Sequence, residues 1–371
     1  MGTPVLKAVP EDFLVHEVPA LAEPAPFGAG RGDPRPRHQH LRLRKRGYTT
    51  FEAMDLLARA LDLPGGAVSS AGLKDEDGVT EQTVSVEGEV PPALLERLNR
   101  ESAESGRWLT FTPLGPAERR IEIGELLGNA FRLTLRAIDD DLAEQLRRVP
   151  RGETGVAFAN YYDTQRFGVP GGPRVTHRIG EALLDDDPDT AFALLRSSGS
   201  AEGKRALAHQ GSARTFLDQL DQRVTAFYRT AHSSHLWNRR LAALLAETAG
   251  PAETETVDRD SLTYLFPTTA RAALTLMATC PELEYEKWRW ADGALRMRVS
   301  RRPTVLHTIL TLGPVEPDDL FEGRSKCTLS FMLPSGCYAT GVVAQFLLQL
   351  ARAPRQPAPA GEAAHLLAAS A

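Results

Sequence analysis

An α+β fold of two domains, the second inserted into the first, is what the 371-residue sequence predicts, and three observations predict it. Short runs in which apolar and polar residues alternate, the period of half-buried strands, recur through the first 140 or so residues. From residue 186 to 247 the pattern changes to successive helices. Alternation then resumes at 295–299, 304–311 and 328–332, so residues after the helical block complete the strand-rich part. The expected division is a discontinuous first domain of residues 1–185 and 311–351, an inserted domain of 186–310, and a disordered tail over 352–371, rich in Pro and Ala.

Strands are expected at 5–9, 12–18 and 40–45, where Leu41 and Leu43 alternate with Arg42 and Arg44 to give one apolar and one basic face. Residues 20–37, rich in Pro, Gly and Ala, read as a long surface loop. Thr49 or Thr50 caps a helix with Phe51, Met54, Leu57, Ala58 and Leu61 on one face, ending before Pro64-Gly65-Gly66. Further strands are expected at 68–71, 83–86, 109–112 and 131–137, with helices at 92–100 and 140–149 between them. In the inserted block, helices are expected at 190–196, 213–228 and 235–247, and a last helix at 342–350.

Composition is that of a globular protein, 42% hydrophobic and 25% charged. No apolar run is long enough for a membrane span, and no basic segment followed by an apolar stretch opens the chain, so a cytoplasmic location is expected. Cys280, Cys327 and Cys337 lack the spacing of a disulfide framework or a zinc site and read as reduced thiols. His232 and His235 read as surface or packed residues; no metal is expected. The net charge of −5 conceals two basic stretches. Residues 31–46 carry seven Arg or Lys against one Asp, and residues 287–302 carry six against one. Trp288 and Trp290 beside Arg289 fit either RNA contact or core packing.

Chemistry concentrates in three segments. Residues 71–86, AGLKDEDGVTEQTVSV, form a Gly-punctuated acidic loop between apolar strands, without the glycine spacing or the Ser/Thr of a phosphate-binding loop. Residues 160–168, NYYDTQRFG, pack amide, aromatic and guanidinium groups, which fit either a site for a splayed nucleobase or an aromatic-rich core turn. Residues 329–340, LSFMLPSGCYAT, read as strand, turn and a Tyr at a helix start.

Together with KAVPEDFLVHEV at 7–18, HLRLRKRGYTTFEAMDLLARAL at 40–61 and LGNAFRLTLR at 127–136, these segments resemble, in order, the motifs of the TruD family of tRNA pseudouridine synthases. The resemblance implies a pseudouridine synthase core, a mixed and mainly antiparallel sheet flanked by helices, with an inserted α/β TRUD domain. It implies isomerisation of uridine to pseudouridine, at position 13 of tRNA in bacterial members, with no cofactor. By the matching motif positions, Asp75 is the catalytic aspartate, with Lys74 beside it and Lys7 placed to balance its charge. Phe13, Asn160 and Tyr338 match substrate contacts, with Gln165 and Arg166 in the same motif as Asn160; Tyr162 stands where Phe is usual. The expected partner is tRNA, bound by a monomer.

Those residue types suit the reaction. The uracil N1–C1′ bond must break and a C5–C1′ bond form, with no redox step. Because uracil is both leaving group and returning nucleophile, one carboxylate suffices, unlike the pair that glycosidases use. Ionised Asp75 in a water-poor pocket needs a cation, which Lys7 or Lys74 can supply. Glu76, Asp77 and Glu81 read as solvated loop charges, and the two basic stretches as phosphate contacts.

Overall fold

The computed structural model describes residues 4–20, 38–102, 106–150 and 152–353. Residues 21–37 of the loop expected at 20–37, with Arg31, Arg35 and Arg37, and residues 354–371 of the tail expected at 352–371 lie outside the described residues. In chain order the elements begin with β1 (Phe13–Pro19), β2 (His38–Arg46), α1 (Thr50–Ala60), β3 (Val68–Ser70), β4 (Val79–Glu87), α2 (Pro92–Glu101), β5 (Trp108–Ala117), β6 (Leu126–Ile138), α3 (Asp140–Arg148) and β7 (Glu153–Ala159). The middle of the chain forms α4 (Thr176–Leu184), α5 (Pro188–Ser197), α6 (Ala201–Ala208), α7 (Ala213–Asp218), α8 (Gln222–Ala249), β8 (Thr254–Arg259), β9 (Leu262–Pro267), α9 (Ala270–Thr279), β10 (Glu282–Ala291) and β11 (Ala294–Pro303). Then come β12 (Val305–Pro317), β13 (Ser325–Pro334) and α10 (Ala339–Arg352).

These elements fall into two compact units: Met1–Tyr162 with Leu306–Gly341, and Asp163–Val305 with the segment from Val342. The changeover lies at 162/163 and 305/306, against 185/186 and 310/311 expected; at the first of these, α4 packs along the long α8 of the second unit.

In the first unit a nine-stranded sheet runs β5-β2-β4-β1-β6-β13-β12-β7, with β3 also on β4. β1 and β4 are parallel; β2–β4, β2–β5, β1–β6, β6–β13 and β12–β13 are antiparallel. The mixed, mainly antiparallel sheet is thus present. Its register aligns Val15 with Phe131 and Phe131 with Phe331, and puts Phe13 opposite Leu133. One sheet face is therefore apolar at the centre. At the other end Leu41, Leu43, Val84, Val86, Leu109 and Phe111 pack with Ala53, Leu57 and Ala58 of α1 and Leu95 and Leu98 of α2.

A capping box starts α1: Thr49 Oγ1 accepts from the Glu52 amide at 3.1 Å and Glu52 Oε2 from the Thr49 amide at 2.7 Å. With Thr49 as cap, Thr50, Ala53 and Leu57 turn inward, and Phe51, expected on the packed face, is 58% exposed. The expected strand at 5–9 is a single bridge, Val5 with Arg136, because the Pro10–Asp12 3-10 turn follows it.

In the second unit, the expected helices at 213–228 and 235–247 are instead the short α7 and a continuous α8 of 28 residues. Asp221 caps α8, accepting from the Arg223 amide at 2.8 Å. Its central Thr and Ser hydroxyls donate back to carbonyls one turn earlier, Thr230 to Ala226 at 2.8 Å and Ser234 to Thr230 at 2.7 Å, so polar residues there do not break it. His235 on α8 stacks on His177 of α4, ring centroids 4.3 Å apart, with Phe167 edge-on to both.

Burial, with the His235, His232 and Arg178 charges, pulls His177 down from 6.5 to about 4. A base depressed in the fold contributes stability that is whole above the unfolded value and is lost as pH falls toward the folded one, since the unfolded chain then binds the extra proton. Between pH 7 and 4.5 the wild type should lose about 2 to 3 kcal/mol on this account. His177→Phe should flatten that slope, read from urea midpoints at the two pH values. An unchanged slope would exclude His177 as the source.

Candidate active site

The acidic loop between β3 and β4 is held by its backbone. Gln82 Nε2 and Ser70 Oγ donate to the Gly72 carbonyl at 2.9 and 3.2 Å. Thr50 Oγ1 accepts from the Lys74 amide at 3.0 Å and donates to Gln82 Oε1 at 2.9 Å. Lys45 Nζ donates to the carbonyls of Lys74 and Asp75 at 3.2 and 2.8 Å, and the Gly47 amide donates to the Glu76 carbonyl at 3.2 Å. A loop whose peptides are anchored from 72 to 76 presents its side chains at fixed positions.

Asp75 is the loop residue so presented. Lys7 Nζ donates to its Oδ2 at 3.2 Å, with 18% and 38% of the two side chains exposed. The same ammonium lies 3.9 Å from the centroid of the Phe13 ring, which is edge-on to Phe131. Lys7 reaches this place from a left-handed backbone, φ 61°, unusual for a residue with a Cβ. The Val5–Arg136 bridge and the Asp12 carboxylate, accepting from the Val9 amide at 3.1 Å, hold the segment on either side. Where the loop enters β4, Gly78 is obligatory, since a Cβ there would sit 2.5 Å from the Phe13 carbonyl oxygen.

Of the two lysines that the sequence offers as the balancing cation, Lys7 faces the carboxylate. Lys74 turns away into a buried pair with Glu17, Nζ to Oε2 2.5 Å, with 4% and 1% of the side chains exposed. The Glu17 Oε1 accepts the Thr83 amide at 3.2 Å, so the pair ties the loop to β1 and β4. Asn160 and Tyr162 are buried at the end of β7, and Tyr162 is edge-on to Tyr338 with centroids 6.2 Å apart, all within the first unit. Gln165 and Arg166 belong to the second unit. There Gln165 is exposed, while Arg166 Nε donates to Ser234 Oγ at 3.3 Å and its guanidinium covers Phe227.

The family model described as tRNA pseudouridine synthase D (TruD) matches residues 2–207. A tRNA pseudouridine synthase D of Ectopseudomonas mendocina is 32% identical over 360 residues, covering 93% of this chain and 92% of that protein. The chain belongs to the tRNA pseudouridine synthase D family. The Geobacter sulfurreducens relative is 30% identical over 251 residues, 62% of this chain, and the match spans 57% of that protein's length. A Methanosarcina mazei crystal structure described as tRNA pseudouridine synthase D superposes with a TM-score of 0.56 at 18% identity, over 93% of each chain, a likeness of fold. The tRNA pseudouridine synthase D match includes Lys7, Phe13, Asp75, Asn160 and Tyr162 and stops before Tyr338.

Inside the same motif segments, the structure gives Lys45, Thr50, Gln82 and Glu17 the task of holding the Asp75 loop. A signal for Lys45 stands in the sequence: it continues the Leu41, Leu43 period, so it faces the core. Lys45, inside the first basic stretch, is wholly buried and is therefore no phosphate contact, which corrects the expectation for that residue. Arg42 pairs with Glu81 at 3.3 Å and Arg46 with Glu11 at 2.6 Å. In the second stretch Arg302 is buried over Trp237, while Lys287, Arg289, Arg296 and Arg298 are exposed. Among the described residues no helix is long and apolar enough to cross a membrane.

Proposed function

We propose that this protein is a tRNA pseudouridine synthase that converts a uridine of tRNA, at position 13, to pseudouridine, with Asp75 as nucleophile and no cofactor. The observation that carries this reading is the pairing of Asp75 with Lys7 on a loop clamped by its backbone, beside Phe13. The carboxylate attacks C1′, and the N1–C1′ electron pair leaves with the uracil. The base turns, C5 bonds to C1′ with release of the carboxylate, and the proton lost from C5 is matched by one taken up at N1, so atoms balance with nothing consumed. Lys7 orients the carboxylate through its 3.2 Å hydrogen bond, while Phe13, Tyr162 and Tyr338 offer ring faces and edges to the flipped base, and Asn160 an amide.

The test is incubation of the full chain with unmodified tRNA transcripts, then mapping of pseudouridine. Pseudouridine at position 13 is the expected product. RNA binding with no product would make the protein an RNA-binding module, and release of free uracil would make it a hydrolase.

The RNA's phosphates are assigned to the β10–β11 ribbon. Its register sets Lys287 opposite Arg298 and Arg289 opposite Arg296, like charges facing each other across strands at a cost to the hairpin. A polyanion offsets that cost. Replacing Arg296 and Arg298 with Ala should weaken tRNA binding and lower the slope of log affinity against log salt by roughly 1 to 2. A slope that stays the same would remove the ribbon from the interface.

A further inference from the structure

Lys45 is a fully buried cation that the chemistry above leaves unused. We infer that Lys45 is a positioning residue for the reaction: its ammonium clamps the carbonyls on both sides of the Asp75 Cα and so fixes where the nucleophile stands. This inference rests on the reading of Asp75 as the nucleophile.

The geometry is specific. Lys45 is the residue of β2 paired with Thr80 on one side and Leu109 on the other, on the sheet face that carries Leu41 and Leu43. Burying an ammonium among such residues is unfavourable unless its protons are taken up. They are taken up by backbone oxygens, the Lys74 carbonyl at 3.2 Å and the Asp75 carbonyl at 2.8 Å. The side chains of Lys74 and Asp75 are engaged elsewhere, by Glu17 and Lys7. Lys45 thus acts on the path of the loop rather than on the carboxylate. Among the anchors of this loop, the Thr50 hydroxyl, the Gln82 amide and the Gly47 amide are neutral, and charge-assisted bonds such as those of Lys45 are about twice as strong as neutral ones.

The clamp is also sensitive to proton loss. Burial pulls Lys45 down to about 8, helped by the Lys74 charge and opposed by Asp75 and Glu76 in the loop and Glu52 on α1. A base depressed in this way is charged below that value, so the clamp is at full strength at neutral pH and weakens as pH rises through it.

The experiment compares wild type, Lys45→Met, Val84→Ala and Asp75→Ala, each as the full chain with unmodified tRNA transcript, under single turnover and with thermal midpoints recorded. Lys45→Met keeps the length of the chain and removes the donors; Val84→Ala opens a cavity in the same apolar layer without touching the loop. The expected result is a rate at least about 100-fold lower in Lys45→Met, with tRNA affinity within about threefold of wild type. The alkaline limb near pH 8 in the wild type should be absent from the variant. A folded Lys45→Met enzyme within about threefold of the wild-type rate overturns the inference. So does an equal rate loss in Val84→Ala at the same thermal midpoint, or an alkaline limb shared by both enzymes. An active Asp75→Ala enzyme sinks the nucleophile reading itself, whereas inactive Asp75→Ala beside active Lys45→Met sinks only the clamp. If Lys45→Met does not fold, the amide signals of Asp75 and Glu76 in the wild type should titrate with the Lys45 side chain, and signals that stay still through its midpoint overturn the clamp.

Discussion

Asp75→Ala is expected to lower the rate of pseudouridine formation by at least about 10⁴-fold, the scale seen when a covalent nucleophile is removed from a unit that works together. The tRNA affinity should stay within about threefold, because the carboxylate is one anion facing a polyanion and its loss removes repulsion rather than contact. The loop itself should survive: its anchors are the backbone atoms of residues 72 to 76, and none of them uses the Asp75 side chain. Lys7 would lose its 3.2 Å partner but keep the Phe13 ring beneath it. Product formed by the Asp75→Ala enzyme at the wild-type rate would end the proposed mechanism.

The largest effect on stability is expected from Arg136→Met. Arg136 Nε donates to both oxygens of Asp12, at 2.8 and 2.9 Å, and Nη1 donates to Asp318 and Asp319, each at 2.8 Å. Only 8% of the arginine side chain, 2% of Asp12 and none of Asp318 is exposed. Removing the cation leaves two carboxylates buried without it, a change that costs about 3 to 5 kcal/mol. Urea unfolding with an unchanged denaturant slope is the measurement, and a loss below about 1 kcal/mol would show that the cluster is solvated in solution.

The pH dependence adds a second check on Arg136. Burial pushes the Asp318 carboxyl up, yet the Ala137 and Leu320 amides and Arg136 together hold it below the usual carboxylate value. A depressed acid contributes stability that is present above its unfolded value and lost as pH falls through the folded one. Acid should therefore destabilise the wild type more steeply than Arg136→Met. Activity should fall as well, since Asp12, the partner of the Arg136 side chain, accepts from the Val9 amide and holds the segment that carries Lys7.

Much of the fold around the proposed site was legible along the chain. The alternation of Leu41 and Leu43 with arginines marked β2 and its two faces, Thr49 or Thr50 marked the start of α1, and the glycines at 72 and 78 marked the loop that carries Asp75. These are local properties: period, cap and turn depend on residues within a few positions of one another. The continuous α8 was less legible: the expected helices stop at 228 and resume at 235, and between them Thr230, Ser233 and Ser234 continue the helix with their hydroxyls bonded to its own carbonyls.

By itself the sequence determined the class of fold, the order of its motifs and the carboxylate on which the chemistry is proposed to turn. Only the tertiary structure decided which lysine meets that carboxylate. Lys74 is the neighbour of Asp75 in sequence, yet its side chain points to Glu17, and Lys7, 68 residues away, makes the contact. The same holds for Lys45, which the chain presents as one more cation in a basic run and the sheet turns into a buried clamp. The physical reason is that an ion pair or a buried donor is chosen by strand order and register. Here β1, β2 and β4 come together from distant parts of the chain, and burial raises the cost of any charge that does not find its partner.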